Sequence, residues 1–143
     1  MGTLTSANSK LNISVANLFA TPQAISGYAT DDAFSTEQVQ ISEHKVGVDG
    51  ILSAGYTPTV IPLSIMLQAN SNSINFFDVW GSATIQAREV YVGTVIIAVP
   101  ALSKVFTFAQ AYLEDWKPLP DHKKMLEPQH YKLICSIPQI APL

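Results

Sequence analysis

Leu63-Ser64-Ile65-Met66-Leu67-Gln68-Ala69 places an aliphatic residue at every second position. Successive side chains of an extended chain point to opposite faces, so Leu63, Ile65, Leu67 and Ala69 share one face of a strand and Ser64, Met66 and Gln68 the other. The same period recurs upstream, where Leu11, Ile13 and Val15 alternate with Asn12, Ser14 and Ala16, and Val39 and Ile41 with Gln38, Gln40 and Ser42. Thr21 to Thr30 reads as a further strand, with Gly27 breaking its alternation and suggesting a bulge. Downstream, Val105 to Leu113 and Tyr131 to Ile137 are rich in residues that suit a pleated, half-buried surface. Val95-Ile96-Ile97-Ala98-Val99 is apolar at both parities. Both of its faces should be covered, one by the core and the other by a helix or a neighbouring subunit.

One segment departs from this period. Between Asn75 and Tyr91, the residues Phe76, Trp80, Ala83, Ala87 and Val90 recur at helical spacing. Asn75 followed by Asp78 resembles a capping arrangement, and Asp78 suits the positive start of a helix. Gly81 costs up to about 1 kcal/mol relative to alanine inside a helix, so a close approach of the helix to a sheet is expected there. The fold class is mainly β with one packed α-helix.

His44 to Pro58 fits neither period. It carries Gly47, Gly50 and Gly55, with Asp49-Gly50 suited to a tight hairpin turn. It also carries Val46, Val48, Ile51, Leu52 and Tyr56, more apolar surface than a solvated loop should show. Long loops of this kind are commonly functional. Ordering one costs about 1–2 kcal/mol of backbone entropy per residue, which burial against a neighbour can offset. Trp116-Lys117-Pro118-Leu119-Pro120-Asp121 is a stiff connection that two prolines exclude from a central strand. With no repeat and no linker, residues 1–143 read as a single domain bearing an extended assembly arm at about 44–58.

Only 13% of the chain is charged against 48% apolar. A small domain so poor in charge leaves much neutral surface, which points to extensive self-association. The net charge of −3 argues against nonspecific nucleic-acid binding, which needs clustered cations; Lys123-Lys124 is the only basic pair. One cysteine, Cys135, allows no internal disulfide and no cysteine-based metal site. The opening residues lack a signal-peptide pattern and no apolar run reaches the ~18 residues that span a bilayer, so a cytoplasmic product with no membrane role is expected.

Catalytic patterns are missing. His44, His122 and His130 show no helical zinc spacing, and Asp31-Asp32 and Glu114-Asp115 read as solvated anionic edges. No nucleophile elbow or phosphate loop occurs. The aromatics Phe76, Phe77, Trp80, Phe106, Phe108 and Tyr112 read as core. No enzyme, no catalytic residue, no metal and no cofactor is expected.

Met1-Gly2-Thr3-Leu4-Thr5-Ser6-Ala7-Asn8-Ser9, Gly27-Tyr28-Ala29-Thr30-Asp31-Asp32-Ala33-Phe34 and Val48-Asp49-Gly50-Ile51-Leu52-Ser53-Ala54-Gly55-Tyr56 resemble a family of phage tail proteins often labelled "tail fibre". So do Leu67-Gln68-Ala69-Asn70-Ser71, Phe77-Asp78-Val79-Trp80, Pro118-Leu119-Pro120-Asp121-His122-Lys123-Lys124 and Leu126-Glu127-Pro128-Gln129, in the same order. Ile137 to Leu143 is less family-like. The family in turn resembles the tail tube proteins of contractile-tailed phages. That likeness implies a β-sandwich or half-barrel subunit that closes into a ring β-barrel on oligomerisation. Six copies would form each ring, and stacked rings would form a tube that conducts DNA into the host. Sheath, baseplate and tail-terminator proteins would be the partners, DNA would pass without specific binding, and the tube would be assembled in the host cytoplasm and end in the virion. Val46, Val48, Ile51, Leu52 and Tyr56 are then the candidate subunit interface. Gln38, Gln40, Ser42, Ser64 and Gln68, opposite the apolar strand faces, are candidates for the lumen. Two alternatives remain: a monomeric β-barrel that binds a small apolar ligand between helix and sheet, and the tube of a phage-derived bacteriocin or secretion system.

Overall fold

The computed structural model describes residues 9–25, 34–69, 71–119 and 125–143. Among these residues, ten strands and one long helix follow one another: β1 (Lys10–Val15), β2 (Phe19–Ile25), β3 (Phe34–Thr36), β4 (Ser42–Val46), β5 (Leu52–Tyr56), β6 (Ile61–Leu67), α1 (Ile74–Ala87), β7 (Gly93–Val99), β8 (Lys104–Asp115), β9 (Gln129–Cys135) and β10 (Gln139–Pro142). Eight of the strands form one antiparallel sheet in the order β2-β1-β7-β8-β9-β6-β3, with β10 pairing the start of β8. The sheet is not closed into a barrel. The chain is therefore mainly β with one helix, as its periods predict.

Where one face of a strand is buried, the alternation survives intact. In β6, Ile61, Leu63, Ile65 and Leu67 are buried and Pro62, Ser64 and Met66 half-buried. β1 and β9 repeat the pattern through Leu11, Ile13 and Val15, and through Gln129, Tyr131, Leu133 and Cys135. These side chains converge on Phe76, Phe77 and Trp80 of α1 in a single core. Tyr131 stacks on Phe77 with ring centroids 4.2 Å apart. On β7, Val95 and Ile97 are buried, while Ile96 and Ala98 on the other face are only half-buried. The helix lies on the core side, so it does not cover that second face.

Several expectations need correction. Residues 37–41 are not in a strand, and the polar–apolar alternation around Val39 and Ile41 is not used for pairing. Tyr112 shares the parity of Phe106 and Phe108, which would place it in the core. Gly93 pairs Ala111 but Val95 pairs Phe108, so β8 holds an extra residue between them. That bulge inverts the side-chain parity, burying Phe108 and Ala111 and leaving Tyr112 37% exposed. α1 starts at Ile74 and its N-cap is Ser73, which makes no side-chain cap. Asn75 therefore lies inside the helix, and Asp78 instead accepts a hydrogen bond from Trp116 Nε1 at 3.0 Å. The helix ends at Ala87, Val90 is exposed, and burial is confined to its first two turns. Gly81 does mark a close approach, made by the indole of Trp116 and not by the sheet. The expected bulge at Gly27 and the remainder of Thr21 to Thr30 beyond Ile25 lie outside the described residues, as do Asp31-Asp32, His122 and Lys123-Lys124.

Candidate assembly interface

β4 and β5 form a two-stranded sheet of their own, apart from the main sheet. Their register pairs Ser42 with Tyr56, Glu43 with Gly55, His44 with Ala54, Lys45 with Ser53 and Val46 with Leu52. The segment expected as an apolar glycine-bearing arm is thus a β-hairpin. Its connection is one residue longer than a two-residue Asp-Gly turn. Gly50 N–H donates to Gly47 C=O at 2.9 Å, and Gly47 N–H to Ile51 C=O at 3.0 Å. Gly50 takes φ +83°, closing a three-residue loop with a glycine bulge, and Asp49 Oδ1 accepts from Ile51 N–H. At the base, Thr57 N–H donates to Ile41 C=O.

Opposed residues of an antiparallel pair share a face. One face of the hairpin therefore carries Val46, Leu52, Ala54 and Tyr56 with His44 and Ser42, whose Oγ lies 3.0 Å from His44 Nε2. The other carries Glu43, Lys45, Ser53 and Gly55. Apart from half-buried Ser42, every residue of both strands is exposed. Ile41, Val46, Val48, Ile51, Leu52, Tyr56 and Val60 are each more than half exposed, with Val48 at the tip at 111%. Monomeric proteins rarely leave contiguous apolar patches beyond a few hundred Å² uncovered. A two-stranded hairpin is also marginal in water when nothing packs on it.

A second apolar surface lies at the foot of the hairpin. α1 packs on one end of the core face, where Trp80 approaches Gly93 and Phe77 covers Tyr131. At the other end the strands run past the helix, and Ile61, Leu63, Ile97, Val99, Phe106 and Phe108 line an open groove of about 450 Å³. Phe34 to Val39 form one wall, and Pro138 and Ile140 the other. Sequence reasoning missed this groove. Its lining comes from five separate stretches, and a shared space between distant segments leaves no local signal.

The five polar residues proposed to face a lumen do not share one surface. Ser64 sits on the sheet face away from the core, opposite Ser35 on β3 and Lys132 on β9. Gln38 lines the groove, Gln40 bonds the Ser42 carbonyl at the hairpin base, and Gln68 lies beyond the far end of β6 beside Met125 and Leu126. Lys132 Nζ pairs with Glu114 Oε1 at 3.4 Å on the same outer face as Ser64. Among the described residues, no three His, Cys, Asp or Glu side chains converge as metal ligands would. No described helix is long and apolar enough to cross a membrane. Cys135 is buried, and burial pushes its thiol up to about 12, which disfavours the reactive thiolate.

Residues 2–136 match the model of the family described as "Tail fiber protein gp32". No curated protein matches the chain in sequence. Its fold is similar to that of a chain in the six-fold symmetrised baseplate of the anti-feeding prophage, at TM-score 0.65 and 13% identity over 99% of this chain and 98% of that one. A chain in the sheath/tube terminator of the extracellular contractile injection system PVC gives TM-score 0.60 at 11% identity, covering 99% and 98%. A chain in the PVC sheath-tube complex gives 0.58 at 12%, covering 94% and 89%. At these identities the likeness is one of fold. The family match stops at residue 136, so β10 lies beyond it.

Proposed function

The chain belongs to the tail fiber protein gp32 family and is a structural component of a phage tail; from that premise we propose that it builds the tail tube, six copies to a ring and ring upon ring. The observation that carries this reading is the β4–β5 hairpin, whose apolar face none of the described residues covers. A domain with a complete core gains nothing by displaying Val46, Leu52 and Tyr56 to water. A second copy that buries them recovers roughly 25 cal/mol per Å² of apolar surface. Val46, Val48, Ile51, Leu52 and Tyr56 are the subunit contacts in this reading.

The open sheet supports the same reading. β2 and the three-residue β3 stand at its two ends with unpaired edges among the described residues. Edges invite pairing with another chain, and closing the sheets of several copies into one barrel removes them. Contacts between unlike surfaces close into rings where the rotation allows and otherwise propagate along an axis. The sheet face away from the core carries Asn12, Ser14, Thr94, Ser64 and Ser35, and its cations Lys10 and Lys132 are spread apart, Lys132 being paired with Glu114. A wall of that kind lets a polyanion pass without gripping it, because phosphate binding needs clustered cations. Sheath, baseplate and terminator proteins are the partners this architecture calls for, and its role is structural and not catalytic.

The test replaces Ile51, Leu52 and Tyr56 together by serine. The expected variant keeps its circular dichroism and cooperative unfolding but forms no tubes by light scattering and negative-stain microscopy. Normal tubes would end the assembly role of the hairpin. An unfolded variant would mean that these side chains belong to the subunit's own core.

A further inference from the structure

Resting on the self-assembly reading above, we propose that the groove lined by Ile61, Leu63, Ile97, Val99, Phe106 and Phe108 is the socket for the hairpin of a second copy, and that the Val46–Leu52–Tyr56 face is what enters it.

The two surfaces match in chemistry. Both are apolar and they are distinct parts of the same chain: the groove's floor is the buried Ile61, Leu63, Ile97 and Phe108, and its accessible rim is half-buried Phe34, Val39, Val99 and Phe106 with exposed Ile140. The hairpin cannot serve its own groove. Val39 and Ile61 line the groove, and the base bond between Ile41 and Thr57 lies just beyond them, so the hairpin springs from the rim. Its apolar side chains Val46, Leu52 and Tyr56 are each more than half exposed, so they are not seated in that groove. The chain's own first eight residues are a poor alternative occupant, since Met1 and Leu4 are their only large apolar side chains.

On the face that enters, Val46, Leu52 and Tyr56 are each more than half exposed. Because hairpin and groove are different surfaces, each copy gives one and receives one, which is the head-to-tail contact that builds rings and stacks.

Charge sets the register. Among the described residues, Glu37 is the one charged side chain lining the groove, and it is exposed on the rim. Lys45 stands on the hairpin face that stays outside the socket, and a lysine stem is long enough to carry its ammonium to such a rim. Neither residue has an ion-pair partner among the described residues, so each is available to the other copy's charge.

Disulfide trapping on the full chain tests this. Leu52→Cys copies bearing a size tag are mixed with untagged Ile140→Cys copies under mild oxidation at assembling concentration; buried Cys135 stays out of the reaction. At least about fivefold more heterodimer is expected than with Met125→Cys, at the far end of the sheet, because a disulfide needs Cα atoms within ~7 Å. Glu37→Lys and Lys45→Glu should each weaken assembly and together restore it, which checks the register with substitutions that leave the core alone. Tubes that form while Leu52→Cys prefers Met125→Cys, or neither, overturn the socket and leave the self-assembly reading standing. No assembly at any concentration overturns both. Removing residues 2–8 should leave the yield unchanged; a rise would mean that the chain's own start fills the groove, and the socket falls.

Discussion

Gly81→Ala offers a measurable test of how α1 is held. A Cβ on Gly81 would clash with Trp116 Cδ2 and lie 2.8 Å from Cγ and Cε3. Carbon atoms pack at about 3.5–4.0 Å, so the indole must retreat by an ångström or more. It is not free to do so, because it packs on the core and its Nε1 donates to Asp78 Oδ1 at 3.0 Å. Alanine gains about 0.8–1.0 kcal/mol of helix propensity over glycine. Against this stand about 1–3 kcal/mol of overpacking, or about 1.5–3 kcal/mol for a lost hydrogen bond to a charged acceptor, the latter reduced by partial exposure. The net is roughly 0–2 kcal/mol of destabilisation, or a fall of up to roughly 8 °C in Tm for a domain of this length. Thermal unfolding should be followed in the assembly-deficient triple-serine background, since association would otherwise add to the apparent stability. With Trp116→Ala already in place, Gly81→Ala should turn stabilising by roughly 0.5–1 kcal/mol, because only the propensity term remains. A Gly81→Ala variant more stable than its parent with Trp116 present would refute the contact.

Two further outcomes follow from the buried interior. Tyr131 is fully buried and its hydroxyl has no hydrogen-bond partner among the described residues. Tyr131→Phe should therefore leave stability unchanged or raise it by up to about 1–3 kcal/mol in urea unfolding; a clear loss would mean that the hydroxyl is satisfied. Burial raises the Cys135 thiol from 9.0 to about 12, and burial followed by the Asp78 charge raises the Tyr131 phenol from 10.0 to about 12. Below pH 9 both groups keep their protons in folded and unfolded chains alike, so their contribution to stability is complete. Between pH 9 and 12 the unfolded chain sheds protons that the native one keeps, and stability should fall at up to ~1.4 kcal/mol per pH unit for each group. Tyr131→Phe should flatten the part of this fall above pH 10, and a urea midpoint constant from pH 8 to 11 would contradict it.

Strand periodicity and the helix could be read from the residues alone wherever one face packs on the core. Leu63, Ile65 and Leu67, or Leu11, Ile13 and Val15, announce their faces because burial selects every second side chain. The arm could be recognised as surplus apolar surface, and Val46, Val48, Ile51, Leu52 and Tyr56 were identifiable because they exceed what a loop should carry. Only the tertiary structure makes that arm a hairpin, since its strands pack on none of the other described elements and so display no inside–outside alternation. Only it sends Tyr112 outward, because one bulged residue in β8 reverses parity without altering composition. The pairing of Ile137–Leu143 with β8 through β10, and the choice of Trp116 as Gly81's neighbour, join segments far apart in the chain. The groove is the extreme case, gathered from residues between Phe34 and Ile140. Local pattern reports what each residue must bury; which distant residue meets it depends on how the whole sheet wraps its helix.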